Sequence, residues 1–188
     1  DEIGYIKINR FSSTTFAEYK TAFEKLKKKG MKSLILDLQD NGGGYMSAAI
    51  DLADDFLSGG KMLVYTEGAN QLKETHESTA VGDFESGNLV ILVNESSASA
   101  SEIVSGAIQD FDRGVILGQR TFGKGLVQST RQVNYGGYLK LTTAKYYIPS
   151  GRCVQALDYS HMIDDGRTSR LPDSLTNVFH TAAGREVR

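Results

Sequence analysis

Three short runs constrain this chain most: KSLILDL at Lys32–Leu38, NLVILVN at Asn88–Asn94 and GVILGQ at Gly114–Gln119. Each is apolar almost throughout and only a few residues long, which is the pattern of a buried strand; a half-solvated strand would alternate. The intervening segments carry the other period. Phe16, Tyr19, Phe23 and Leu26 recur at helical spacing between Thr14 or Thr15 as N-cap and Gly30 as stop. Met46, Ala49, Ile50, Ala53 and Leu57 repeat that spacing across Tyr45–Leu57, and Ile103, Ala107, Ile108 and Phe111 repeat it again. Alternating apolar and polar residues make Ile3–Phe11 a strand, and KMLVYTEG (61–68) is another. LVQSTRQV and YLKLTTAKYYI, joined by the turn NYGG, read as a hairpin ended by Pro149. Residues 69–87 read as loop with a hairpin, and from Leu157 onward charge and turn residues leave little pattern. Buried strands alternating with helices predict an α/β domain with a largely parallel sheet covered by helices.

At 188 residues, 40% hydrophobic and 23% charged, the chain has material for one sizeable core and is not composed like a disordered segment. One domain over residues 1–188 is therefore expected. The formal charge of −2 lacks the basic excess that a phosphate backbone demands, so no nucleic-acid partner is expected. The one basic run, KLKKKG at Lys25–Gly30, closes the first helical segment, where cations meet the negative end of the helix dipole. Cys153 is the only cysteine, which excludes an internal disulfide and a cysteine-rich metal site. His76, His161 and His180 fall in no metal-ligand spacing and read as surface or loop residues. No apolar run approaches the roughly 18 residues of a membrane span. The chain opens at Asp1 directly on a strand, with no signal peptide, and reads as part of something longer.

In open α/β sheets ligands gather where the carboxyl ends of strands turn into helix N-termini. Two such junctions stand out. In LILDLQDNGGGYM, Gly42, Gly43 and Gly44 lie between a strand and a helix. Glycines there permit positive φ and leave N–H groups free to meet negative charge. Neither GxxxxGK[ST] nor GxGxxG is present at the junction, so a phosphate loop is excluded and an oxyanion-binding turn fits better. Taken alone, the triplet reads more readily as a tight turn without a ligand.

The second junction, NESSASASEIVSGAIQDF, gathers Ser96, Ser97, Ser99, Ser101 and Ser105 around the start of a helix. Alone, such a cluster is more often a helix cap than a nucleophile. A serine hydroxyl attacks only when a base takes its proton, and no histidine carries a supporting motif. Lysine serves as base where its surroundings favour the neutral amine. Lys124, in TFGKGLVQ between Gly123 and Gly125, is the candidate, although GKG alone would suggest an exposed turn. Gln128 lies four positions on, and so on the same face of an extended strand, where its amide could hold the lysine in register.

NESSASASEIVSGAIQDFDRGVILGQRTFGKGLVQ, with LILDLQDNGGG before it and GGYLKLTTAKYYIPSGRCVQ after, closely resembles the carboxyl-terminal processing, or tail-specific, proteases of serine peptidase family S41. The blocks cover well over half of the chain in the family's order. The resemblance implies a crotonase/ClpP-like α/β core with Ser99 as nucleophile, Lys124 as general base and Gln128 orienting the lysine. It implies an oxyanion hole made by the N–H of Ala100 and one from the glycine turn, Gly44 or its neighbour Gly43. It further implies polypeptide substrates cut near their C-terminal tails, no metal or organic cofactor, and a periplasmic or otherwise extracytoplasmic setting in a bacterium. Homo-oligomerisation is left open.

Gln39 and Asp40 stand where the family has Arg-Gly, and Gly42 stands in place of its proline. None of these is a catalytic group. The PDZ domain that family members carry before the opening strand is not in this chain. Two rival readings remain: a crotonase-type acyl-CoA enzyme with a similar oxyanion turn, and a noncatalytic module binding peptides or lipophilic ligands. The first would not need a Ser/Lys pair and is discriminated by acyl-CoA binding; intact Ser99, Lys124 and Gln128 weigh against the second.

Overall fold

The structure is a computed structural model that describes residues 2–79, 81–162, 168–170 and 176–188. The first strand, β1 (Ile3–Lys7), leads into α1 (Thr15–Lys28), which buries Tyr19 and Phe23 and ends at Gly30 with φ +88. Next come β2 (Ser33–Asp37) and α2 (Met46–Asp54), the latter shorter at both ends than its apolar spacing predicts. Strands β3 (Met62–Gly68) and β4 (Gln71–Glu77) form a hairpin, and β5 (Asn88–Val93), α3 (Ala100–Asp110) and β6 (Val115–Gly118) follow. A second hairpin pairs β7 (Leu126–Gln132) with β8 (Tyr138–Tyr147). Short strands β9 (Leu157–Met162), β10 (Thr168–Arg170), β11 (Phe179–His180) and β12 (Glu186–Val187) are the last elements, and residues 163–167 and 171–175 of the poorly patterned C-terminal part lie outside the described residues.

The predicted parallel sheet is present as β1-β2-β5-β6, every pair parallel. Its order advances in one direction, so right-handed crossovers lay the connecting helices on a common face. That face is the core: Leu34, Leu36 and Ile91 are fully buried, each such burial stabilising by about 1.5–3 kcal/mol. The opposite face is more open than continuously apolar strands imply. Ile3, Tyr5, Val115 and Leu117 are each more than half exposed there.

The remaining long strands build a second sheet, antiparallel, in the order β4-β3-β8-β7. Periodicity identifies strands but not their partners. Helix α2 packs on α3, and both touch β3. Around α1 and α2 the aromatic rings of Tyr19, Phe23, Phe56 and Phe84 meet at centroid distances of 5.5–6.4 Å. The site depends on one pairing above all. Because β2 and β5 are parallel neighbours, their C-terminal loops emerge side by side.

Candidate active site

Several hydrogen bonds fasten the two loops together. Ser97 Oγ donates to the Leu38 carbonyl at 2.7 Å, and the Ala98 N–H donates to the Asn41 carbonyl at 2.9 Å. Asp40 and Asn94 bond reciprocally: the Asp40 N–H donates to Asn94 Oδ1 at 3.0 Å, and Asn94 Nδ2 donates to Asp40 Oδ1 at 2.9 Å. Asp40 has φ +63, which explains why a glycine suits this place and why an aspartate, tolerant of that region, can replace it. Asn41 is fully buried and central. Its Nδ2 donates to the Ile8 carbonyl at 2.7 Å, its Oδ1 accepts the Gly43 N–H at 2.9 Å, and its carbonyl accepts Ser101 Oγ at 2.9 Å. Ser97, Ser101 and Ser105 thus spend their hydroxyls on backbone carbonyls, and Ser96 is exposed.

Ser99 differs from the other serines. It is the N-cap of α3 and holds φ 57, ψ −113, a strained conformation for a residue with a Cβ that costs on the order of 1–3 kcal/mol unless its surroundings enforce it. Glu102 supplies part of that enforcement by accepting the Ser99 N–H on Oε2 at 2.7 Å. Gly43 supplies another part. With φ +93, it packs so closely that a Cβ there would stand 2.6 Å from the Ala98 carbonyl oxygen, 2.7 Å from Ser99 Cβ and 3.0 Å from Ala100 N. The glycine turn and the serine turn are in contact.

Of the expected oxyanion donors, Gly43 gives its N–H to Asn41 Oδ1, whereas the N–H groups of Gly44 and Ala100 take no partner among the described residues. Ala100 opens α3, where the first N–H groups lack intrahelical acceptors and the dipole is positive. Gly42 stands clear, with no atom within 4 Å of an added Cβ. Gly43→Ala is expected to destabilise the protein by about 2–4 kcal/mol and to lower activity by roughly 10²-fold as the turn is pushed off the serine. Gly42→Ala should change stability by less than about 0.5 kcal/mol. Urea unfolding and turnover check both, and equal effects from the two would contradict the packing argument.

Lys124 lies in the turn before β7, with Gly123 at φ +86, and comes to the serine through its backbone. Glu102, 2% exposed, is the link that sequence reasoning missed. Its Oε2 accepts the Lys124 N–H at 2.9 Å beside that of Ser99, and its Oε1 accepts the Gly123 N–H and Thr121 Oγ1, each at 2.7 Å. Tyr146 on β8 is a second link: its hydroxyl is 2.6 Å from the Lys124 carbonyl oxygen and 3.1 Å from that of Ser99. Burial, ahead of the neighbouring Glu102 carboxylate, holds this phenol well above its ordinary range, so it stays a donor at neutral pH. Gln128 is on β7, exposed, where the register skips Thr143 of the partner strand. Neither Lys124 Nζ nor the Gln128 amide is hydrogen-bonded among the described residues. The structure therefore links the Ser99 and Lys124 backbones through Glu102 and Tyr146, and packs Gly43 against Ser99.

Comparison with known proteins places most of the chain in one family. The model of the family described as Peptidase family S41 matches residues 2–160. A probable CtpA-like serine protease of Staphylococcus aureus is 38% identical over 154 residues, 81% of this chain and 31% of that protein. Its counterpart in Staphylococcus epidermidis is 38% identical over 153 residues. The chain thus spans about a third of the length of these relatives. Among solved structures, the photosystem II D1 C-terminal processing protease superposes with a TM-score of 0.75 at 35% identity, covering 81% of this chain and 39% of that one.

Proposed function

The chain belongs to serine peptidase family S41, and on that premise we propose that residues 1–188 form one catalytic domain that cleaves polypeptides with a Ser99–Lys124 dyad. The observation that carries this reading is the doubly shared anchoring of the two residues. One carboxylate holds both of their N–H groups, and one phenol lies against both of their carbonyls.

In the proposed reaction the neutral amine of Lys124 takes the Ser99 hydroxyl proton as Oγ adds to the scissile carbonyl. The N–H groups of Ala100 and Gly44 receive the oxyanion, aided by the N-terminus of α3. As the tetrahedral species collapses, the C–N bond breaks and Lys124 returns the proton to the leaving amine. Water, deprotonated by the same lysine, then releases the acyl group and restores the serine. Gln128 would orient the lysine from β7. No step calls for a metal or an organic cofactor.

The name of the D1 C-terminal processing protease supports the C-terminal tail of a polypeptide as the substrate class. No helix among the described residues is long and apolar enough to cross a membrane.

The deciding experiment is labelling of the full-length protein with a fluorophosphonate. We expect one adduct, mapped to Ser99 by mass spectrometry and lost with cleavage in Ser99→Ala. Unlabelled protein that still binds peptides would favour a noncatalytic module, and an adduct on another serine would refute the assignment.

A further inference from the structure

Every backbone polar group from Gly123 to Gly125 is hydrogen-bonded, an unusually complete account for a turn. The N–H groups of Gly123 and Lys124 go to Glu102, and that of Gly125 goes to Gln155 Oε1 at 2.9 Å. The Gly123 carbonyl accepts the Ala156 N–H at 2.9 Å, and the Gly125 carbonyl accepts the Tyr146 N–H at 3.0 Å. The remaining group, the carbonyl of Lys124 itself, is met among the described residues by the Tyr146 hydroxyl at 2.6 Å.

That hydroxyl carries one proton, and the Ser99 carbonyl, 3.1 Å away, already accepts the Glu102 and Ile103 N–H groups at 2.8 and 3.1 Å. The shorter contact takes the larger share, with the serine turn as the secondary branch. Resting on the Ser99–Lys124 reading above, we propose that Tyr146 is a positioning residue whose hydroxyl fixes the Lys124 peptide, and so the aim of the lysine side chain, against the Ser99 turn.

The need for such a clamp follows from the neighbours. Gly123 and Gly125 lack Cβ atoms, so the backbone on either side of Lys124 resists rotation less than any other sequence would. Without the phenol, the Lys124 carbonyl is the one group of the turn left unbonded, and the peptide plane after it is then held only by the bond from the Gly125 N–H to Gln155 Oε1. Misplacement of a reacting group by about 1 Å costs up to about 10²-fold in rate. The Tyr146 ring is 2% exposed and belongs to the hydrophobic core, so removal of the oxygen alone leaves its packing in place.

The test compares Tyr146→Phe with Lys124→Ala in the full-length protein, measuring kcat and KM for a peptide and counting intact sites with the fluorophosphonate. Tyr146→Phe is expected to lower kcat by about 10- to 100-fold at unchanged KM and an unchanged number of sites. Replacement by 4-aminophenylalanine, which returns a donor to the same place, should recover most of the loss. If the phenylalanine protein does not fold, 4-aminophenylalanine and the similarly shaped 4-methylphenylalanine make the same comparison. Full kcat in Tyr146→Phe with loss in Lys124→Ala overturns the clamp alone; full kcat in Lys124→Ala overturns the dyad and the clamp together. A fall in kcat matched by lost sites, or no recovery with the amine, assigns Tyr146 a purely structural role.

Discussion

Ser99→Ala is expected to lower kcat/KM for a peptide substrate by roughly 10⁴-fold or more, and Lys124→Ala by roughly 10²–10⁴-fold. The double variant should be no worse than the serine variant, because in the proposed reaction the two groups act in one proton transfer and their losses do not add. Both proteins remain folded. The Ser99 backbone is fixed through its own N–H and carbonyl and by the close approach of Gly43, so loss of Oγ costs no more than a helix cap, about 1 kcal/mol. Lys124 is likewise held through its N–H and carbonyl, which alanine keeps. Circular dichroism and urea unfolding, run beside the cleavage assay, separate chemistry from folding. Full activity in either single variant would sink the dyad. An acyl-CoA enzyme built on the same turn would bind its thioester equally well in all three variants.

What the sequence reveals of this site follows the range of the forces involved. The strand and helix patterns are local, and a largely parallel sheet follows from them; the neighbouring of β2 and β5, which makes the two loops converge, is seen only in the structure. The pairing of β3 with β8 is a contact between distant segments, and nothing in KMLVYTEG or TTAKYYI names its partner. Glu102 was within reach, since Ser-x-x-Glu at a helix start is the spacing of a capping box. What that spacing does not show is that the same carboxylate turns outward from its own helix to hold Gly123 and Lys124. Tyr146 gives no local signal, because its function exists only once β8 lies beneath the lysine turn. The bond of the Gly43 N–H to Asn41 is likewise invisible in the sequence.

Glu102→Ala has the second large effect, and it falls on stability and activity together. The substitution strips acceptors from the N–H groups of Ser99, Gly123 and Lys124 and from the Thr121 hydroxyl. Each buried donor left unsatisfied costs about 1–3 kcal/mol. Relief is at hand, because a cavity of about 570 Å³ borders Glu102, Thr121 and Gly123 and can admit water to the vacated place. The expected net loss is therefore about 3–5 kcal/mol, a large share of the roughly 5–15 kcal/mol that holds a typical domain. Glu102→Gln should fall between, since its amide nitrogen can only confront, and not accept from, the donors on its side. Urea unfolding measures the loss, and a cycle with Thr121→Val locates it. Thr121→Val should cost about 1 kcal/mol while Glu102 is present and almost nothing in the Glu102→Ala protein, because its acceptor is already gone. Activity per folded molecule, counted by fluorophosphonate titration, should fall by about 10²-fold, since the strained serine and the lysine turn lose the anchor they share. A Glu102→Ala protein of unchanged stability and turnover would show that Ser99 and Lys124 hold their places without it.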